Sequence, residues 1–421
     1  MNVNHTGLHE WHVKHGAHMA PFAGYDMPLW YSSGAREEHL CVLTACGLFD
    51  TGHMSVLKIT GPDSYGLLQK CFSRDLNCCT GNEKKPLSAG ECTYGVFLSE
   101  SDGGVIDDSI VCKVAPDVWL VVVNAGMGAV ICRHLESYKN SFDVIITDLT
   151  ELVGKIDIQG PLSGMVLRHI LSEPDSVFEG LRYFRFKGSF DNDSSHSDGV
   201  RLLDGTPVML SRTGYTGEFG FELFCGYRNT VKIWEALLAV GERYSIKTCG
   251  LGARDSLRTG AVLPLSHQDI GNWPFLNNPW TFALPYNTEK TGFTKEFIGR
   301  KALENASYNM FTCPFTGYDV RKVADGIVID NAGDVIGTVL TCVTDTGIGR
   351  VGDTVYSITS PDKPEGFVPK GLSCGFLKIS RMLPAGEMLM LKDGRREIQV
   401  SVVEDIRPAR SARYPIEQMI T

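Results

Sequence analysis

Two adjacent carboxylates, Asp107 and Asp108, follow the glycine turn Gly103-Gly104 and enter an apolar stretch. A carboxylate among apolar strand residues is costly unless it has a partner or a chemical task. Acid–base chemistry or the stabilisation of a developing positive charge is one interpretation, and an exposed turn with two solvated aspartates is the other. Because successive strand residues point to opposite faces, we expect only one of the two side chains to face a given pocket.

A second candidate site is the stretch Gly-Leu-Gly-Ala-Arg-Asp-Ser-Leu-Arg at 250–258, where glycines precede a predicted helix. A helix N terminus of this kind suits an anion. The spacing matches neither a P-loop nor a dinucleotide-binding fingerprint.

The N-terminal segment carries histidines at three- and four-residue spacing, and these are His5, His9, His12, His15 and His18. On one helix face they could bind a metal. No cysteine or carboxylate cluster in the sequence completes such a site, so an amphipathic, partly solvated helix is predicted and no metal. The polar stretch 191–199 is interpreted as a flexible insertion, since its faint likeness to a calcium loop lacks the terminal glutamate.

Composition limits the function classes. The 421 residues, 43% hydrophobic and 21% charged, predict a globular chain of two or three domains. The net charge of −9 argues against nucleic acid as a partner. No apolar window of about 18 residues predicts a membrane span, and no secretory signal is recognised. Thirteen cysteines without a CxxC motif indicate free thiols and a cytoplasmic location.

The elements that must position these residues follow from the apolar periodicity. A helix is predicted over 33–44 with Glu37, Glu38 and His39 on its wet side. A strand at 55–60, a helix to about residue 72, a strand at 91–98, and a hairpin at 110–114 and 119–124 come next. From about residue 311 the chain becomes β-rich with glycine turns, which predicts a separate small barrel or sandwich.

Taken together, several ordered motifs resemble the folate-dependent aminomethyltransferase family, of the glycine cleavage T-protein type. The matching pieces are Gly-Leu-Phe-Asp…His-Met at 47–54, Gly-Gly-Val-Ile-Asp-Asp at 103–108, Gln-Gly-Pro at 159–161, Thr-Gly-Tyr-Thr-Gly-Glu at 213–218, the stretch at 250–258, and Phe-Ile-Gly-Arg-Lys-Ala-Leu at 297–303.

The resemblance implies an α+β fold class with three domains in a cloverleaf around a central folate site. Two interleaved N-terminal domains, Greek-key and ferredoxin-like, would occupy 1–310, with the ferredoxin-like part around 55–145. A C-terminal β-barrel or jelly roll would occupy 311–421.

The resemblance also implies roles for single residues. The family's catalytic aspartate falls on Asp107, its pterin-binding glutamate on Glu222 and its folate-contacting arginine on Arg254. The positions that resemble pocket-lining ones are Met54, Tyr94 and Asn124. These roles are chemically reasonable, because a carboxylate accepts paired N–H donors and an arginine fork suits a carboxylate tail.

The implied activity is aminomethyl transfer from a lipoylated H-protein to tetrahydrofolate, with release of ammonia. The chain departs from the family at 263–273 and in a long Gly/Pro/Asp-rich excursion at 343–370, and both changes could fall on the substrate side of the site. A tetrahydrofolate-dependent demethylase of a small N-, O- or S-methyl compound, to which His267 and Trp273 are adapted, is therefore an alternative. A non-catalytic folate-binding assembly factor is another.

Overall fold

The computed structural model describes residues 3–80, 84–191 and 199–420. Most of the predicted insertion at 191–199 therefore lies outside the described residues. The helices are α1 (His9–Lys14), α2 (Gly34–Thr44), α3 (Ser64–Cys71), α4 (Gly128–Ser137), α5 (Ser163–Arg168), α6 (Pro174–Phe178), α7 (Thr230–Gly241), α8 (Leu251–Gly260), α9 (Arg300–Asn305) and α10 (Ile416–Met419).

The strands of the first half are β1 (His18–Phe22), β2 (Tyr25–Trp30), β3 (Gly47–Asp50), β4 (Ser55–Thr60), β5 (Glu91–Leu98), β6 (Val105–Ala115), β7 (Val118–Val123), β8 (Ile145–Asp148), β9 (Val153–Gln159) and β10 (Phe186–Gly188). Those of the second half are β11 (Val208–Ser211), β12 (Gly220–Gly226), β13 (Lys247–Thr248), β14 (Phe311–Gly317), β15 (Ile327–Ile329), β16 (Val335–Asp345), β17 (Ile348–Val351), β18 (Thr354–Ser357), β19 (Leu372–Ile379), β20 (Met388–Lys392) and β21 (Glu397–Val402).

Two sheets of the N-terminal part are interleaved along the chain. A five-stranded antiparallel sheet has the order β5-β6-β7-β4-β8, and its core side chains pack against α3 and α4. A six-stranded sheet has the order β10-β11-β12-β9-β3-β13, so the chain starts this sheet at β3, builds the other, and returns at β9. This return explains why no single boundary separates the two sheets in the sequence.

The C-terminal strands close into a barrel with the order β14-β19-β16-β15-β20-β21. Its interior is a separate apolar cluster that includes Phe315, Leu377 and Val400. Barrel and sheets together confirm the expected α+β class with a three-domain layout.

Two Gly-Pro units start helices by the same geometry. Gly61 and Gly160 have φ of +123° and +120°, and each precedes a helix, α3 or α5. A Cβ at Gly61 would meet the carbonyl oxygen of Asp143, and one at Gly160 would meet that of Ala45. Both turns therefore require glycine.

The prediction of a solvent-facing side of α2 was wrong for two of its residues. Glu38 and His39, expected on the wet side, are fully buried. Glu38 accepts hydrogen bonds from Tyr31 N (2.6 Å) and from Gly250 N (2.9 Å), at the start of α8. The anion predicted at that helix N terminus is thus a side chain of the protein itself, and tertiary packing overrides the local pattern.

The excursion at 343–370 is also more ordered than its composition indicates. It completes β16 and forms the hairpin of β17 and β18. Within the described ranges, no helix is long and apolar enough to cross a membrane.

Candidate functional site

A large cavity of about 2040 Å³ lies between the two interleaved sheets and the loop that follows α8. Five of the six residues singled out by the resemblance line it, and these are Met54, Tyr94, Asn124, Glu222 and Arg254. The sixth, Asp107, has no exposed surface and lies directly behind the wall. Asp108, which the resemblance did not select, lines the cavity instead.

Burial alternates along the first half of β6, with Asp107 buried and Asp108 at the cavity. The pairing of β5 with β6 shifts register just before the two aspartates, between Phe97 and Leu98, whereas Asp107 pairs with Phe97 and Asp108 with Val96. Asn124 Nδ2 nevertheless donates to Oδ1 of both carboxyls, at 2.8 Å to Asp107 and 2.6 Å to Asp108.

Further donors fix each carboxyl separately. Asp107 accepts from the backbone N of Asn124 at 2.9 Å and from Ser266 Oγ at 3.0 Å. Asp108 accepts from Tyr94 Oη at 3.0 Å. Burial, and then the neighbouring charge of Asp108, raises the pKa of Asp107 to about 7. Burial likewise raises the pKa of Asp108.

Ser266 reaches Asp107 because contacts of the buried Asp269 fix the loop after α8. The buried carboxylate of Asp269 accepts from the backbone N of Leu265 at 2.9 Å and from Thr341 Oγ1 at 2.6 Å, and it pairs with Arg258. The barrel thus supports the loop that carries Ser266. Sequence reasoning noted this loop as a departure from the family but did not connect it to Asp107.

The opposite wall of the cavity carries a buried charge network. Glu222 lies 3.2 Å from Lys155 Nζ and accepts from Thr213 Oγ1 at 2.8 Å. Lys155 in turn lies 2.6 Å from Asp157. Burial raises the pKa of Glu222. Burial alone would also raise the pKa of Asp157, but the charges of Lys155 and Arg254 hold it below its usual value.

Arg254 is part of this network, and its guanidinium is already paired with a carboxylate of the protein. Its Nη1 lies 3.0 Å from Asp157 Oδ2, and its guanidinium sits 4.8 Å from the ring centre of Tyr215. Lys155 and Asp157 were missed in the sequence, although two charged residues in the otherwise apolar β9 were a usable signal.

Of the two residues that motivated the demethylase alternative, only His267 lies at the cavity. His267 is exposed, lines the cavity edge and has φ of +63°. Trp273 is absent from the lining, and its ring lies 3.8 Å from Lys378 Nζ. None of the residues at 343–370 lines this cavity. That excursion faces α2 and α8 instead, where Asp345 lies 2.9 Å from His39 Nε2.

Two further observations concern the predicted absence of metal and disulfides. Asp26 comes within 2.9 Å of His9, whose ring stacks on that of His5, so a carboxylate does join these histidines. The two rings are parallel to within 3° and 3.6 Å apart. All thirteen cysteines fall within the described ranges and are free thiols.

Comparisons with known proteins agree with this architecture. The family model described as GCVT N-terminal domain matches residues 8–274. An aminomethyltransferase of Bacillus cytotoxicus is 35% identical over 299 residues, which are 71% of this chain and 75% of that protein. An aminomethyltransferase of Bacillus cereus is 34% identical over 321 residues, covering 76% and 80% of the two chains.

Among solved structures, the glycine cleavage system aminomethyltransferase T from Bartonella henselae superposes with a TM-score of 0.73 at 24% identity. The match covers 96% of this chain and 97% of that one. At this identity the likeness supports the fold, while the family model and the two relatives establish descent. The chain therefore belongs to the aminomethyltransferase family that carries the GCVT N-terminal domain.

Proposed function

We propose that this protein is a tetrahydrofolate-dependent aminomethyltransferase, which takes the aminomethyl group from the lipoyl arm of an H-protein and releases ammonia. The observation that carries the proposal is the meeting of carboxyls from two different sheets at one cavity. Asp108, backed by Asp107, comes from the five-stranded sheet, and Glu222 comes from the six-stranded one.

The cavity lining fits a reduced folate. Glu222 offers a carboxylate to the paired N–H donors of a pterin edge, and Lys155 and Thr213 fix its orientation. Aromatic side chains offer surfaces for the two ring systems, and these are Tyr94, Tyr183, Phe184, Tyr215 and Phe282. When bound, tetrahydrofolate supplies the amine nitrogens that accept the one-carbon unit.

The negatively charged tail of a folate needs cations near the opening of the cavity. Arg254 is engaged with Asp157, so it serves the proposal better by orienting Glu222 through the shared charge network. Arg182 and Arg413 are exposed and line the cavity, which suits them to the tail carboxylates. Met54 and Asn124 complete the lining near the carboxyl pair.

Folate binding is tested by thermal unfolding with added tetrahydrofolate. A ligand that binds only the native state raises the Tm. We expect Glu222→Ala to remove most of this rise, because the pterin donors lose their acceptor. The matched control is Glu235→Ala, an exposed glutamate on α7 away from the cavity, which should keep the full rise. An unchanged rise in Glu222→Ala would contradict the assigned pterin site.

The reaction is tested by single-turnover transfer to tetrahydrofolate from aminomethyl-loaded H-protein. We expect Asp107→Asn to slow this transfer by about 100-fold or more with little change in folate binding. Transfer only from small methyl donors would instead favour the demethylase, for which the exposed His267 at the cavity edge is the motivating observation. Folate binding without transfer from any donor would favour the assembly factor.

A further inference from the structure

Two thiols face each other across strands β5 and β6. Cys92 and Cys112 are directly paired in the antiparallel register, and Cys112 Sγ donates to Cys92 Sγ at 3.3 Å. Both side chains are buried in the apolar cluster between the two interleaved sheets. The sulfur atoms are in direct contact at this distance, so nothing separates the two atoms that a disulfide would join.

The backbone at this pair has the geometry that a disulfide needs. The backbone N of Cys92 donates to Phe184 O at 2.9 Å, away from β6, so Cys92 and Cys112 form a pair without mutual backbone hydrogen bonds. The Cα atoms of such a pair are about 4.5 Å apart, and disulfides span about 4.4–6.8 Å. Because an S–S bond is about 2.05 Å long, the sulfur atoms need to approach each other by only about 1 Å.

The two thiols differ in their access to the cavity. Cys92 lines it, whereas Cys112 is absent from the lining. Cys92 Sγ also lies 3.9 Å from Ser211 Oγ, and Ser211 Oγ lies 2.8 Å from the hydroxyl of Thr213, which donates to Glu222. The thiol pair is therefore next to the side chains assigned to the pterin, and a molecule that fills this part of the cavity would cover Cys92.

The hydrogen bond between the thiols distinguishes their roles. Because the thiol of Cys112 donates to the sulfur of Cys92, it stabilises negative charge on Cys92, and the thiolate is the form that reacts with an oxidant. The same hydrogen bond, together with burial, raises the pKa of Cys112, which therefore stays protonated. Cys92 is thus the nucleophile that meets an oxidant in the cavity, and Cys112 is the thiol that reacts with it next.

We propose that Cys92 and Cys112 form a reversible disulfide when a hydroperoxide enters the empty cavity, and that a bound folate prevents this by covering Cys92. The protection by folate rests on the proposed function above, whereas the disulfide does not.

The oxidation takes place in two steps. The sulfur of Cys92 attacks one peroxide oxygen, the O–O bond breaks, and the other oxygen leaves as water or as an alcohol. The sulfur of Cys112 then attacks the sulfenic acid of Cys92, loses its proton, and water leaves as the S–S bond forms. The two thiols together lose two electrons, and the peroxide gains them. A dithiol reductant restores both thiols by exchange and is itself oxidised to a disulfide.

The disulfide is tested on the whole, folate-free protein, which is treated with hydrogen peroxide and then alkylated. Chymotrypsin cleaves after Tyr94 and Phe97, between the two cysteines, so mass spectrometry should find their peptides linked. Reduction with dithiothreitol should separate these peptides. The matched control is Cys132→Ala, which removes a half-buried thiol on α4 and should keep the link. Absence of the linked peptides in the wild type would overturn the proposal.

The order of attack is tested with dimedone, which traps sulfenic acids. In Cys112→Ala the sulfenic acid of Cys92 has no partner and should be trapped, whereas in Cys92→Ala the sulfur of Cys112 should stay unmodified. Trapping at Cys112 and not at Cys92 would overturn the assigned roles. Each variant removes a buried sulfur atom, so its folding is first checked by circular dichroism, and the linked peptides of the wild type do not depend on either variant.

The protection is tested with 5-formyltetrahydrofolate, a reduced folate that resists oxidation better than tetrahydrofolate. At about 100 times its Kd only about 1% of the protein is empty, so disulfide formation should slow by about 100-fold. An unchanged rate, with the Tm raised by the same ligand, would overturn the protection and leave the proposed function standing. A Tm that this ligand does not raise would count against the proposed function, and the protection would fall with it. The linked peptides of the empty protein would still decide the disulfide.

Discussion

The barrel meets α2 at one buried carboxylate, Asp345 at the end of β16, and Asp345→Asn tests its contribution to stability. Asp345 Oδ2 lies 2.7 Å from Arg407 Nη1, and Oδ1 lies 2.9 Å from His39 Nε2 and accepts from Gly347 N at 2.9 Å. Asp345 and Arg407 have no exposed surface. Burial alone would raise the pKa of Asp345, but the charges of His39 and Arg407 hold it below its usual value.

The magnitude follows from what Asp345→Asn leaves unpaired. Removing one partner of a buried ion pair costs about 3–5 kcal/mol. Arg407 keeps Glu218 at 3.3 Å, so its charge is not left isolated. We therefore expect the lower end, a loss of about 3 kcal/mol in the free energy of unfolding.

The assay is urea denaturation of the folate-free protein, followed by tryptophan fluorescence. Because the pKa of Asp345 is lowered in the folded state, its stabilisation is present above the unfolded pKa of about 4 and lost as the pH falls below it. The ionisation of Asp345 itself should therefore add no pH dependence to the difference between wild type and variant from about pH 5 to 8.

The matched control is Asp319→Asn in the same barrel. Asp319 forms an exposed pair with Arg321 at 2.8 Å, and such a pair contributes about 0–1 kcal/mol. A loss below about 1 kcal/mol in Asp345→Asn, equal to that of the control, would refute the reasoning that this buried pair joins the barrel to the rest.

Three further predictions use the same urea assay. Gly260→Ala should cost about 1–3 kcal/mol, because a Cβ there would collide with the Asp345 carboxylate and the Arg407 guanidinium. Trp234→Ala should cost about 3–5 kcal/mol, since this fully buried indole fills the core of the six-stranded sheet, and a smaller loss would mean that the core refills the space. The folded-state pKa of Asp107, about 7, exceeds the usual 3.8, so its stabilising contribution is lost as the pH rises between these values. Asp107→Asn should therefore gain stability relative to wild type from about pH 5 to 7, and parallel pH profiles would contradict the raised pKa.

Local patterns were sufficient for many of the elements. The strands Ser55–Thr60 and Glu91–Leu98 have the predicted bounds, and the predicted hairpin is formed by β6 and β7. These segments are apolar on at least one face and end at glycine or polar turns, so their structure depends on nearby residues. The wet face predicted for α2 failed because Glu38 and His39 bind partners more than two hundred residues away.

The motifs selected residues that lie together at the cavity, but they did not predict the contacts among those residues. Met54, Tyr94, Asn124, Glu222 and Arg254 line one space, as the resemblance implied. That Arg254 is held by Asp157 follows from the pairing of β9 with β12 and the approach of α8, and no local spacing encodes this contact.

By itself, the sequence determined the family, the order of the elements and the set of side chains available for chemistry, because these depend on residue types and near-neighbour spacing. Only the tertiary structure decided which carboxyl faces the cavity. Asn124, which follows the neighbouring strand β7, donates to both Asp107 and Asp108, and the loop held by Asp269 brings Ser266 against Asp107. These partners come from other elements of the chain, and alternation along a single strand carries no information about them.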